Sequence, residues 1–254
     1  MQKRKALRWT QFLSVTATLS CLNFLLPASS AAQDRPGDPT AGGLAAGDYL
    51  LIGGGGTFPV NAQGSLKNYS AGPVFSLGYE NWQMGSGGGV GLVGFGLSGS
   101  YSALPTKNGF AEAVAVASGG ATGTATAASA RILEIVSSVR VRIPSPYVMP
   151  AVTLGLGFIN WAPGSIRYQA TDGSNAKVRY QHRSGAELSI GGSLDRHIYD
   201  RYGLFAEADY VYGFTSFGQA FTVPNGNCVN VACDPLKNTS VGAIRGGLRV
   251  GLGR

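Results

Sequence analysis

The sequence predicts an all-β fold, a closed, antiparallel, up-and-down transmembrane β-barrel of eight strands. Three observations predict it. Charged residues make up 13% of the 254 residues and 39 residues are Gly, about half the charge and twice the glycine of an ordinary soluble domain. Apolar and polar residues alternate with period two through most of the chain after residue 47, the mark of strands whose two faces meet different surroundings. The alternating segments number eight, joined by connectors that are short and long in turn, as in a meander with tight turns at one end and loops at the other. The sequence shows no heptads, G-x-y period or basic tail, which disfavours a coiled coil, a collagen-like chain and a nucleic-acid-binding arm.

Residues 1–32 read as a cleaved signal peptide. Lys3, Arg4, Lys5 and Arg8 give a cationic start, an apolar stretch follows from Phe12 to Leu26, and Ser30-Ala31-Ala32 supplies small residues for cleavage. A retained membrane helix is the competing reading, but Ser14, Thr16, Thr18, Ser20 and Asn23 make the stretch too polar. A lipid anchor on Cys21 lacks the usual leucine three residues earlier, where Thr18 stands. Removing the segment takes away four of 20 basic residues and none of 13 acidic ones, leaving a net charge of +3. Export implies an oxidising compartment, where Cys228 and Cys233 are expected to close a small disulfide loop. Their spacing is not that of a C-x-x-C redox or zinc site, and neither has a local His partner. No metal or cofactor is expected.

Residues 33–47 form a flexible lead-in rich in Gly, Ala, Pro and Asp, and 48–254 form the barrel. Its strands are expected at 48–60, 71–83, 88–103, 127–143, 147–161, 184–198, 202–221 and 240–253. The first contains Gly53 to Gly56, which lacks the Lys and Ser/Thr of a phosphate-binding loop and instead relieves crowding in a narrow barrel. The second carries Tyr79 beside Glu80. The third sets Val93, Phe95, Leu97 and Tyr101 against Gly94, Gly96, Ser98 and Ser100. The fourth sets Leu133, Ile135, Val139, Val141 and Ile143 against Glu134, Ser138, Arg140 and Arg142. The fifth runs from Tyr147 past Phe158. The sixth sets Ala186, Leu188, Ile190, Leu194 and Ile198 against Glu187, Ser189, Ser193, Asp195 and His197. The seventh sets Glu207 and Asp209 against Tyr210, Tyr212 and Phe214. The last alternates Ile244, Gly246, Leu248, Val250 and Leu252 with Arg245, Gly247, Arg249 and Gly251. Tight turns fall at 85–87, 144–146 and 199–201, and long loops at 61–70, 104–126, 162–183 and 222–239.

Which face meets water decides between a soluble and a membrane barrel. The polar face holds Glu80, Glu134, Glu187, Asp195, Glu207 and Asp209 with Arg140, Arg142, Arg245 and Arg249, interleaved with Gly and Ser. It is sparse and mixed in sign, and the predicted strands contain no Lys, whereas a water-facing surface would carry many Lys and Glu. These charges therefore form an interior network in a confined lumen. The other face is apolar, with Tyr79, Tyr101, Tyr147, Phe158, Tyr210, Tyr212 and Phe214 toward strand ends as interfacial girdles. In lipid every strand edge must be paired, which forces closure, and eight strands leave a lumen just wide enough to fill with side chains.

Over residues 48–254 the chain resembles the small outer-membrane barrels of Gram-negative bacteria, similar to the OmpA membrane domain and OmpX. The resemblance implies an outer-membrane location, contact with membrane lipid and lipopolysaccharide, and insertion by the barrel assembly machinery. The end of the chain, Arg245-Gly246-Gly247-Leu248-Arg249-Val250-Gly251-Leu252, is similar to that family's assembly signal, with Gly247, Val250 and Leu252 at its key places. Members commonly finish on an aromatic residue, and here Leu252 is followed by Gly253-Arg254.

Chemistry-bearing residues are few. His197 is read as one member of the interior network. His182 and Ser184 form an H-x-S that resembles the lipid A deacylases of this architecture, but Arg196 stands where the orienting carboxylate is expected. A hydrolase is therefore the secondary reading and no enzyme the primary one. Arg167, Lys177, Arg179 and Arg183 against Asp172 make a cationic loop suited to lipopolysaccharide phosphates, or equally a solvated loop. The functional expectation is a structural or surface-interaction barrel whose outer loops carry recognition, with a narrow channel as the remaining alternative. The external ligand is not legible, and no nucleic acid is expected.

Overall fold

The computed structural model describes residues 47–60, 68–83, 92–109, 111, 123–143, 148–171, 173, 175–178, 182–199, 201–215 and 238–252. Their strands, in chain order, are β1 (Gly47–Pro59), β2 (Gly72–Gln83), β3 (Val93–Leu104), β4 (Gly123–Ala127), β5 (Ala130–Arg142), β6 (Met149–Ala162), β7 (Ile166–Ala170), β8 (Asn175–Val178), β9 (Arg183–Tyr199), β10 (Tyr202–Phe214) and β11 (Thr239–Gly251). Eight of these close into a barrel in the order β1-β11-β10-β9-β6-β5-β3-β2. Every neighbouring pair is antiparallel, and closure comes from β1 pairing with both β2 and β11, so that Gly53 faces Ser76 on one side and Gly247 on the other. One register shift, at Tyr202/Gly203, marks the start of β10.

The period-two pattern explains these strands directly. In β5, Ile132, Glu134, Ser138, Arg140 and Arg142 are buried while Leu133, Ile135, Val139 and Val141 are exposed. The same inversion runs round the wall: Leu154 and Ile190, paired across β6 and β9, are each 55% exposed, whereas Asp195 and Arg249 are 0% exposed. A charged interior within an apolar exterior is the reverse of a water-soluble barrel.

Glycine fits this interior by volume. Large inward side chains sit across the ladder from inward glycines: Trp82 pairs with Gly94, Glu80 with Gly96, Asp209 with Gly191, and Glu187 with Gly157 and Gly213. At Gly94 an added Cβ would lie 2.7–2.8 Å from the Trp82 ring. The high glycine content is thus the counterpart of a narrow lumen that must hold indoles, guanidiniums and carboxylates.

Several boundaries differ from expectation. The third wall strand starts at Val93, and the seventh stops at Phe214; residues 84–91 and 216–221 lie outside the described residues. The segment expected over 127–143 begins beyond a break at Ala128 and Ser129, where the Ala128 amide donates to the Ser165 carbonyl at 3.0 Å. Two stretches expected as loops contain strands, because β4, β7 and β8 form a separate three-stranded sheet at the long-loop end. One face of it exposes Thr124, Thr126, Arg167 and Gln169, while Ile166 on the other is 1% exposed. Lys177 lies in β8, so the expectation that strands lack Lys holds for the wall alone.

Candidate functional site

The lumen is built in three layers. At the short-connection end Tyr49, Leu51, Trp82, Met149, Ala151 and Phe205 form an apolar cluster. At the long-loop end Tyr69, Leu104, Ala130, Ile132, Ile159, Trp161, Val211 and Val241 form a second, with Tyr69 and Trp161 in edge contact at 5.5 Å. Between them lies the charged band. Several of these plug residues were not expected inside, but Trp82 shares the strand parity of Glu80, and Leu51 that of Gly53 and Gly55, so alternation already places them on the inner face.

The band residues come from β2, β5, β9, β10 and β11 and meet inside. Arg249 pairs with Glu80 and Asp195, each at 2.7 Å, and Arg142 pairs with Asp195 at 3.1 Å while its guanidinium lies 3.7 Å over the Trp82 ring. Arg140 pairs with Glu80 at 2.7 Å and also with Glu207. Arg245 pairs with Glu207 at 3.0 Å and with Asp209. Four guanidiniums thus form one continuous network with four carboxylates. Six of these eight groups have two ionic partners, and Arg142 and Asp209 have one each, which matters because desolvating an isolated ion costs several kcal/mol.

Two predicted members stand apart from it. Glu134 accepts a hydrogen bond from the Ser100 hydroxyl directly across the β3–β5 ladder. Glu187 is 1% exposed and, among the described residues, neither of its oxygens meets a donor. The inner face thus carries six acidic side chains against four guanidiniums, and Glu134 and Glu187 are the two that pair with none of the four. His197 lies on the inner side of β9, opposite Gly203 near the short-connection end, and its Nδ1 has no partner among the described residues.

On the outside, apolar residues form the middle of the wall and aromatics its margins. Tyr199 and Tyr202 are exposed at the short-connection end, where the Tyr79 hydroxyl and the Asn81 amide both donate to Asp48, at 2.6 and 2.7 Å. Tyr101 and Phe214 are exposed toward the other end, and Tyr212 meets Phe214 edge-on at 5.0 Å. Phe158 and Tyr210 are half-buried in the same outer wall, and Tyr147 lies outside the described residues.

Of the cationic loop, Arg167 is exposed, Lys177 faces it in the β7–β8 ladder, Arg183 is half-buried, and Arg179 is outside the described residues. Lys107, Arg131 and His182 are also exposed at this end. Ser184 lies on the outer side of β9, where its hydroxyl accepts from the Asn160 amide at 2.7 Å rather than from an imidazole. Arg196, at the place where a carboxylate is expected, is exposed. Cys228 and Cys233 lie outside the described residues. At the chain end, Gly247 faces the lumen, Val250 is half-buried and Leu252 is exposed.

No helix among the described residues is long and apolar enough to cross a membrane. A closed antiparallel barrel with an apolar outer wall, interfacial aromatics and a filled ionic lumen is a transmembrane β-barrel of the bacterial outer membrane. Among solved structures the chain is similar to Neisserial surface protein A, with 14% identity, a TM-score of 0.45, and coverage of 83% of this chain and 100% of that one. It is also similar to a major outer membrane protein from Thermus thermophilus, with 13% identity, a TM-score of 0.48, and coverage of 80% and 98%. The outer membrane protein OprG from Pseudomonas aeruginosa gives 14% identity, a TM-score of 0.45, and coverage of 82% and 98%. No family model matches the sequence, and no curated protein matches it.

Proposed function

We propose that this outer-membrane protein is a non-conducting, non-enzymatic barrel whose wall anchors a recognition surface at its long-loop end. The observation that carries the reading is the filled lumen: among the described residues apolar layers flank the ion network on both sides, and two cavities within the network are about 20 Å³ each, room for a single water. A barrel filled in this way offers its outer end, not its interior, to other molecules. The β4-β7-β8 sheet extends that end, and its exposed face carries polar side chains and Arg167. Lys107, Arg131 and Arg167 supply cations that suit lipopolysaccharide phosphates by charge-assisted hydrogen bonds. Export by the N-terminal signal and insertion by the barrel assembly machinery complete the reading.

Two measurements test it. In planar bilayers the purified barrel is expected to show no stable channel; a large, sustained conductance overturns the non-conducting assignment. Lipopolysaccharide carried through purification is expected to fall when Arg167, Lys177, Arg179 and Arg183 are reversed to Glu together, with unchanged mobility of the folded band on unboiled gels. Undiminished retention rejects the phosphate contact.

A further inference from the structure

A guanidinium stands unpaired on the outer wall at the long-loop end. Arg131, the first outward residue of β5, is exposed, and no group among the described residues pairs with it. Its height follows from the strand below it. The outward side of β5 and the residue after it are apolar from Leu133 to Ile143, broken only by Ser137. These ten residue steps measure about 34 Å along the strand, or about 26 Å along the membrane normal at a tilt of about 40°. The apolar band of such a barrel is about 25 Å tall. Leu133 to Ile143 fills it, and Arg131 is the next outward position, at the level of the outer headgroups. Tyr101, opposite Leu133 on β3, marks the same boundary with an exposed ring.

The neighbours of Arg131 leave room beside it and add donors. Across the two ladders it faces Ala103 on β3 and Ala162 on β6, both too short to fill the space next to a guanidinium. Asn160, opposite Leu133, occupies a position diagonal to Arg131, and Ser184 lies opposite Asn160 on β9; diagonal neighbours in an antiparallel ladder stand about 7–8 Å apart. The Ser184 hydroxyl accepts from the Asn160 amide at 2.7 Å, which leaves its own proton and the second amide proton free to donate outward. Among the described residues, the outer face at this end carries no Asp or Glu. A guanidinium fork, an amide and a hydroxyl, all donors, match an anion with several acceptor oxygens. At headgroup height such an anion is a lipid phosphate, and the apolar wall directly below suits the acyl chains attached to it.

We propose that Arg131, Asn160 and Ser184 bind one phosphate of a lipid A molecule, the phosphorylated glucosamine lipid of the outer leaflet, with its acyl chains lying along Leu133, Ile135 and Phe158. The site rests on the lipopolysaccharide contact proposed above and carries part of that contact from the loops to the lipid-facing wall.

The test is lipid binding to the folded barrel in detergent, read by native mass spectrometry, with bisphosphorylated lipid A, enzymatically dephosphorylated lipid A and phosphatidylglycerol as probes. A hydrogen bond to a charged partner is worth about tenfold or more in affinity. The wild type is therefore expected to prefer the phosphorylated lipid A by about tenfold or more. Arg131→Gln is expected to remove that preference, leave the affinity for the dephosphorylated form unchanged, and still migrate as a folded band on unboiled gels. Asn160→Leu is expected to weaken binding of the phosphorylated form by about threefold or more, and it decides the matter if Arg131→Gln does not fold. Equal affinity of the wild type for the two lipid A forms overturns the site, as does an Arg131→Gln variant that keeps the preference. Phosphatidylglycerol bound as tightly as lipid A overturns the choice of lipid. The fourfold loop reversal separates this site from the loop contact: if it abolishes lipopolysaccharide retention while Arg131→Gln leaves lipid A binding unchanged, the loop contact stands and the wall site falls. If the wild type binds neither lipid A form and retains no lipopolysaccharide, both fall.

Discussion

Arg249 offers the sharpest test of the lumen network. It is 0% exposed, pairs with Glu80 and Asp195 at 2.7 Å each, and lies 5.9 Å from the Trp82 ring. In Arg249→Met the stem is replaced by a side chain of similar length and the charge is lost. Breaking a buried pair by removing one partner costs about 3–5 kcal/mol. Here each carboxylate keeps a second guanidinium, Arg140 for Glu80 and Arg142 for Asp195, so the lower end applies. A loss of about 3 kcal/mol is about a 150-fold change in the folding constant. Urea unfolding in detergent, followed by tryptophan fluorescence, measures it. The double variant Arg249→Met/Asp195→Asn is expected to lose less than the sum of the two single changes, with a coupling of about 1 kcal/mol or more. A single variant within about 0.5 kcal/mol of wild type, or strict additivity in the double, would refute the account of a connected buried network.

Three other outcomes follow from the same geometry. Leu154→Arg, placed in the apolar wall, is expected to cost about 2–4 kcal/mol in lipid vesicles, whereas a water-facing Leu would tolerate it within about 0.5 kcal/mol; folding titrations in vesicles distinguish these. Gly94→Ala drives a Cβ to 2.7–2.8 Å from the Trp82 ring and is expected to destabilise by about 1–3 kcal/mol, read from the same unfolding curves. Ser184→Ala is expected to leave the acyl-chain count of incubated lipid A unchanged relative to the wild type, by mass spectrometry; wild-type-only deacylation would restore the hydrolase reading.

Much of the wall is legible in the sequence because parity survives in a strand: once Glu134 and Leu133 are put on opposite faces, every residue of β5 follows. The inward direction of Arg140, Asp195 and Arg249 comes from the same alternation. Alternation gives direction, however, and not height or partner. It cannot say that Arg249 reaches β2 and β9 together, since Glu80 and Asp195 are brought to it by barrel closure. A ring suits an interface, which favours girdles for the aromatics, yet Tyr49, Trp82, Phe205 and Trp161 close the lumen; for Trp82 the parity of Val74, Ser76 and Glu80 is the signal that points inward. The small sheet escapes the sequence for a different reason. Gly123 to Ala127 is too uniformly small to show unlike faces, and Asn175 to Val178 is too short. The two-carboxylate surplus is open to counting in the sequence, but its concentration on Glu134 and Glu187 depends on which acids the arginines reach.

The ion network joins β2, β5, β9, β10 and β11, strands separated by most of the chain. A half-built sheet would present Glu80 and Asp195 without Arg249, because β11 arrives last in sequence and only its docking brings that guanidinium inside. Before that docking Glu80 and Asp195 hold one guanidinium each in place of two, and Asp209 lacks Arg245. The final strand acts as a keystone: its docking closes the hydrogen-bonded wall and completes the ion network in the same step.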